Sequence, residues 1–167
     1  KPKVILEIGT AKGGSLFVFT RVAPADAHII SVDLPGGNYG GGYRAWRVPL
    51  YKAFAYGRQR MSLIRGDSHA QSTKQAVERM LEGRKVDFLF IDADHTYEGV
   101  KRDFELYSTL VRPGGMIGFH DIVSRGEPGE YGVEQFWNEI KTSYRHVELA
   151  QERASHLYGI GLLYVAD

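Results

Sequence analysis

Val4-Ile5-Leu6-Glu7-Ile8-Gly9-Thr10-Ala11-Lys12-Gly13-Gly14-Ser15 is the stretch that decides the fold. An apolar run closes on an acid, a glycine-rich turn follows, and a helix-like pattern covers Ser15–Val22. That order describes a buried strand feeding a tight loop into a helix N-terminus. Open α/β sheets hold nucleotide-like ligands in this way, at the carboxyl ends of their strands. A second acid, Asp33, closes the next apolar run, Ile29-Ile30-Ser31-Val32. Two acids at neighbouring strand tips suit a ligand rich in hydroxyls and amines. The plainer alternative is that Gly9, Gly13 and Gly14 only make a tight βα turn.

A dinucleotide site asks for G-x-G-x-x-G, with the second glycine admitting a pyrophosphate close to the backbone. Gly9 and Gly14 fit, but Ala11 stands in the middle and its methyl obstructs that approach. Glu7 would also set a negative charge beside the phosphates. A cationic or zwitterionic ligand meets neither objection. S-adenosylmethionine has an amino group, a sulfonium and a ribose, and no phosphate.

The chain has 167 residues, 43% hydrophobic and 25% charged, enough for one domain with a real core. Its net charge of +1 gives no case for nucleic acid or an anionic membrane as partner. No apolar run approaches the ~20 residues of a membrane span. Cysteine is absent, which excludes disulfides, thiolate metal sites and thiol catalysis, and fits a cytoplasmic protein. We read residues 1–167 as a single domain. The opening directly on a strand raises the expectation of a further segment upstream.

Strand-like runs lie at Lys3–Ile8, His28–Asp33, Met61–Arg65, Val86–Ile91, Met116–His120, Tyr144–Leu149 and Ile160–Val165. Helical patterns lie at Ser15–Val22, Pro49–Tyr56, Gln71–Leu81, Tyr97–Leu110 and Val133–Thr142. The alternation predicts a doubly wound, Rossmann-like α/β sheet of seven strands. Only about ten residues, around Gln151–His156, join the last two strands, too few for a helical crossover, so that pair is expected to be antiparallel. Leu34–Tyr43 and Ser124–Glu130 are turn-rich loops on the ligand side. The first is either a lid or an ordinary surface loop.

The fourth strand runs into Ile91-Asp92-Ala93-Asp94-His95-Thr96-Tyr97, and the fifth ends in Phe119-His120-Asp121. If these strands are neighbours, Asp92, Asp94, His95, His120 and Asp121 converge at one edge. Carboxylate-rich ligation with one imidazole suits Mg²⁺ or Mn²⁺ more than Zn²⁺. The competing explanation is capping, with Asp94 at the N-cap of the next helix and His120 and Asp121 ending a strand in solvent.

Taken together, these residues resemble class I S-adenosylmethionine-dependent methyltransferases, and within them the metal-assisted small-molecule O-methyltransferases. The likeness extends to proteins labelled cephalosporin hydroxylase and runs from Val4 to the last strand. Glu7-Ile8-Gly9-Thr10-Ala11-Lys12-Gly13 is similar to the family's E/D-x-G-x-x-x-G cofactor loop, with Ser15 just beyond it. Asp33 matches the acid that grips the ribose hydroxyls, and Gly66-Asp67-Ser68 the segment at the adenine. By position, Asp92, His120 and Asp121 would be metal ligands. The last two stand where relatives carry an Asp-Asn pair. His95 stands where several relatives have a lysine implicated as base. The resemblance thus implies in-line methyl transfer to a hydroxyl of a small-molecule acceptor, with His95 as base and Asp94 either orienting it or ligating the ion. It also makes a homodimer compatible with the chain.

Other residues carry weaker expectations. His69 either touches the adenine or simply begins a helix. Tyr97 and Trp137 either line an acceptor pocket or pack in the core. Trp46 and Tyr39 could close over substrate, and Arg44 and Arg47 could bind an acidic acceptor or stay solvated. Three other readings compete: a nicotinamide-dependent oxidoreductase, against which Ala11 and Glu7 argue; a binding module without chemistry; and an oxygenase, which the α/β pattern disfavours.

Overall fold

A computed structural model describes residues 1–37, 41–123, 132–151 and 158–167. Seven strands form one sheet: β1 (Val4–Ile8), β2 (His28–Asp33), β3 (Arg60–Arg65), β4 (Val86–Ile91), β5 (Val111–His120), β6 (Arg145–Gln151) and β7 (Tyr158–Tyr164). Their order is β3-β2-β1-β4-β5-β7-β6. β3 to β5 across the sheet are parallel, while β7 runs antiparallel to both β5 and β6. The doubly wound sheet and the antiparallel final pair are as the sequence predicts.

The helices are α1 (Gly14–Val22), α2 (Arg47–Lys52), α3 (Gln71–Leu81), α4 (Tyr97–Tyr107) and α5 (Val133–Ile140). Strand parity divides the core in two. Val4, Leu6, Ile8, Ile30 and Val32 face Val77 and Leu81 of α3, Val100 and Leu106 of α4, and Phe136 and Trp137 of α5. Ile5 and Ile29 face Leu16 of α1 and Tyr51 of α2. Both faces are covered, which is why β1 and β2 are buried along their whole length.

Most element boundaries differ from the sequence reading by one or two residues, and three differ by more. β5 begins at Val111, not Met116, because Arg112–Gly115 continue as irregular strand: the register against β4 shifts between Val86 and Phe88, and Gly114 adopts φ +67°. α2 covers Arg47–Lys52 rather than Pro49–Tyr56. Its end tightens into three-residue turns, Phe54 N–H donating to Tyr51 O and Ala55 N–H to Lys52 O. The expected helix to Leu110 stops at Tyr107, and Ser108–Leu110 form a 3₁₀ turn. Residue 39, the segment 124–130 and the connection 152–157 lie outside the described residues. Among the described residues no helix is long and apolar enough to cross a membrane.

Gly9 sets the distance between the first and fourth strand tips. Its φ is +98°, and a Cβ there would stand 1.9 Å from the carbonyl oxygen of Asp92. We expect Gly9→Ala to destabilise the fold by about 3 kcal/mol or more, read as a lowered urea midpoint at unchanged slope. A loss below about 1 kcal/mol would show that this approach is not tight.

Candidate active site

The loop after β1 is built from left-handed residues: Gly9 at φ +98°, Ala11 at +43° and Gly13 at +80°. Ala11 pays steric strain there of about 1–2 kcal/mol, so its surroundings must hold it. They do. Asp33 Oδ2 accepts from the Ala11 N–H at 2.6 Å and from the Thr10 N–H at 2.9 Å. The Tyr51 hydroxyl donates to Ala11 O at 2.8 Å, and its ring packs where a Cβ on Gly13 would stand.

Asp33, expected to grip a ribose, also braces the loop. Its Oδ1 also accepts from the N–H groups of Leu34 and Gly42. Four backbone donors fill the acceptor positions of one carboxylate, and they tie the glycine loop to the chain beyond β2. Glu7 likewise points inward. It is fully buried, and Ser15 Oγ and Ser31 Oγ each donate to it at 2.5 Å. Burial pushes the Glu7 carboxyl up to about 7, with Asp92 and Asp33 adding to the rise and the two serines opposing it. Thr10 is buried too, its hydroxyl 2.5 Å from that of Ser31. Of the expected cofactor residues, Glu7, Thr10, Ser15 and Asp33 thus shape the loop from beneath.

The half-exposed chemistry lies one strand over. Asp92 follows β4, and its N–H donates to Ile8 O at 2.8 Å, so Glu7 and Asp92 sit at the same sheet edge. Asp121 follows β5 in a left-handed conformation, φ +58°, which aspartate tolerates better than most residues. His95 Nε2 lies 3.3 Å from Asp92 Oδ1 and 3.7 Å from Asp121 Oδ2. His120 Nδ1 lies 3.1 Å from Asp121 Oδ1 and 3.6 Å from Asp92 Oδ1. Two imidazoles thus flank one pair of carboxylates. Asp92, His95 and Asp121 offer donor atoms that all lie within 4.8 Å of one another, so the closest metal-like grouping contains His95 where the sequence expected His120. The hydrogen bond to Asp92 raises the His95 pKa above its ordinary value.

Asp94 turns away from this group. Its Oδ1 accepts from the Thr96 N–H, and its carboxyl occupies the space beside Gly99. The N-cap of α4 is Thr96, whose hydroxyl accepts from Gly99 N–H, and not Asp94. Asp67 Oδ1 accepts from His69 N–H, and Ser68 O accepts from the Tyr107 hydroxyl. Trp137 is core, 1% exposed, with its indole N–H on Glu148, while Tyr97 packs on Phe136 and donates to Glu139. Trp46 is exposed with the Arg47 guanidinium over its ring, and Arg44 is exposed.

The sequence reading missed Tyr43 and Tyr51. Tyr43 is 2% exposed beside Asp33, and its hydroxyl has no hydrogen-bond partner among the described residues. Tyr43 ends a glycine-rich loop with no periodicity to mark it as buried, whereas Tyr51 lies in the helical pattern at 49–56, whose buried face could have marked it.

A profile of the family described as methyltransferase domain matches residues 6–122, from β1 through the Asp92 and Asp121 groups. The chain belongs to this family. It is also similar to the Sinorhizobium fredii protein y4gI, 28% identical over 167 residues, which is 98% of this chain and 17% of that protein. The chain spans about a sixth of the length of the curated relatives it matches. Among solved structures, the O-methyltransferase of Bacillus cereus in complex with SAH superposes with a TM-score of 0.72 at 22% identity, covering 98% of this chain and 74% of that one. The Streptomyces achromogenes O-methyltransferase TomG, involved in tomaymycin synthesis and solved with SAM, gives 0.70 at 18%, covering 99% and 74%. At these identities the likeness is one of fold.

Glu7 makes stability depend on pH. Its folded pKa of about 7 exceeds the unfolded value of 4.5, so the folded state holds the proton more tightly. Stability is full below the unfolded value and falls as pH rises toward the folded one. We expect a loss of roughly 3 kcal/mol between pH ~5 and ~8 in denaturant titrations, largely absent in Glu7→Gln. Equal slopes in the two proteins would show that Glu7 ionises without penalty.

Proposed function

We propose that this chain transfers a methyl group from S-adenosylmethionine to a hydroxyl of a small molecule, assisted by a divalent cation. One observation carries the reading: the Gly9–Gly13 loop and the Asp92/His95/Asp121 group meet at a single strand edge, with Gly9 pressed against the Asp92 backbone. A donor on the loop and an acceptor at the group would be neighbours. Membership in the methyltransferase-domain family and the SAM- and SAH-bound neighbours support the donor. Ala11, where the dinucleotide motif has its second glycine, argues against a pyrophosphate cofactor. The near-neutral net charge and the lack of cysteine support a cytoplasmic enzyme with a small-molecule acceptor.

In the reaction the acceptor oxygen attacks the methyl carbon in line with the C–S bond. A C–O bond forms, the C–S bond breaks, and its electron pair returns to sulfur, leaving S-adenosylhomocysteine. The hydroxyl proton passes to the His95 imidazole. Asp92 stands against that ring and stabilises the imidazolium that results. Gly14 and Ser15 begin α1, whose positive N-terminal end suits the carboxylate of the donor.

The donor chemistry fits Mg²⁺ or Mn²⁺: two carboxylates and an imidazole, with Asp92, Asp121 and His120 as ligands in this reading. Held there, the ion supplies Lewis acidity toward the acceptor hydroxyl. The 4.8 Å grouping favours a second reading, in which His95 is the ligand instead. The two part on one variant.

If His95 is the base, His95→Ala lowers kcat about 100-fold or more while the Kd for Mn²⁺ and for S-adenosylhomocysteine stays within about twofold. A Mn²⁺ affinity that collapses together with kcat makes His95 a ligand. Isothermal titration that detects NAD and no S-adenosylhomocysteine would overturn the methyl-transfer reading altogether.

A further inference from the structure

Asp103 lies in the middle of α4 and is 0% exposed. Neither of its carboxylate oxygens has a hydrogen-bond partner of good geometry among the described residues. A buried carboxylate in that condition is unfavourable by several kcal/mol unless a cation stands beside it. The group beside it is His69, a cation when protonated, whose Nε2 lies 3.4 Å from Asp103 Oδ1 and is itself buried. An apolar pair of similar size would pack there at no electrostatic penalty.

The pair spans two particular elements. His69 belongs to the segment Gly66–Ala70 after β3. Gly66 N–H donates to Asp33 O at 2.8 Å, which sets this segment beside the glycine loop. The Tyr107 hydroxyl, one turn beyond Asp103, donates to Ser68 O at 2.7 Å. α4 therefore holds the segment twice, once through a backbone carbonyl and once through a charge pair. Its own first turn follows directly on Asp92–His95.

We propose that His69 and Asp103 form a charged clasp that positions the Gly66–His69 segment against the adenine of the bound donor, so that donor affinity depends on the proton of His69. The proposal rests on the S-adenosylmethionine reading above. His69 and Asp103 are positioning residues and touch no reacting atom. The groups facing His69 are Asp67 on its own segment, Asp94 before α4, and Asp103 and Tyr107 on α4. The carboxylates favour the imidazolium, Asp103 most, and raise the His69 pKa above its ordinary value. The Tyr107 hydroxyl stays neutral, since burial pushes its pKa up. The sign follows: the clasp is fully charged below pH ~6.5 and is lost as pH rises through the raised value.

The test is isothermal titration of S-adenosylhomocysteine against the wild type, His69→Gln and Asp103→Asn from about pH 6 to about pH 9. Glu7 titrates in this range in all three proteins, so the difference between their profiles is what isolates the clasp. We expect wild-type affinity to fall about fivefold more across the range than that of His69→Gln. His69 in the free wild type, followed by imidazole NMR, should titrate above the ordinary ~6.5 and return toward it in Asp103→Asn. Should the buried Asn prevent folding, His69→Gln and the wild-type titration decide alone. Parallel affinity profiles, or a His69 titrating at or below the ordinary value, overturn the clasp. Absence of S-adenosylhomocysteine binding at every pH overturns the donor reading, and the proposal with it.

Discussion

The structure depends on how closely the tips of β1 and β4 approach. Between Gly9 and the Asp92 carbonyl there is no room for a side chain. The consequence spreads outward. A loop that leaves β1 this tightly must turn left-handed at once, and it does so at Gly9, Ala11 and Gly13. Glycine accepts such dihedrals without penalty, and alanine does not. Ala11 is kept there by Asp33 on one side and Tyr51 on the other, so β2 and α2 become part of the loop's support. A single close approach of two backbones thus recruits three elements to one edge.

That edge gathers four acids, and each is managed by different means. Glu7, fully buried, is relieved by two hydroxyls and by a pKa near 7 that lets it keep its proton. Asp33 is answered by four backbone amides. Asp92 and Asp121 are answered by two imidazoles. Asp92 is the most exposed of the four, while Asp121 is about as buried as Asp33. Amides and hydroxyls are permanent partners, whereas an imidazole can give up its proton near neutral pH. The end of the edge that can exchange partners is therefore the Asp92/Asp121 end, where a cation or an acceptor hydroxyl is wanted.

The sheet was legible because its strands obey simple rules. β1, β2 and β4 are continuous apolar runs with acids or glycines at their ends, and those runs have one interpretation in a chain that alternates with helices. The convergence of Asp92, His95, His120 and Asp121 was legible for the same reason, since neighbouring parallel strands must bring their carboxyl ends together. What the sequence could not reveal is direction. Glu7 and Asp33 read as ligand contacts because they stand at strand tips, and the sequence does not show that strand parity turns Glu7 toward α1 or that nearby amides bond Asp33. Asp94 reads as one more acid in the cluster, yet the amide of Thr96, two residues on, captures it. Trp137 reads equally as pocket or core until α5 is seen to lie against β5 and β7, where Gly161 makes room for its ring.

The two histidines bear on which ion the proposed site would prefer. In the reading that has His120 as a ligand, Asp92, His120 and Asp121 would present two carboxylates and one imidazole to Mg²⁺ or Mn²⁺, ions of the same charge. An imidazole nitrogen has little attraction for Mg²⁺, which prefers oxygen and holds its waters, and more for Mn²⁺ and the ions after it in the divalent series. With the charge equal, donor softness decides. On the reading proposed for this site, that places Mn²⁺ ahead of Mg²⁺. It also gives His120 a reason to stand between two carboxylates that amides or a lysine could have satisfied as well.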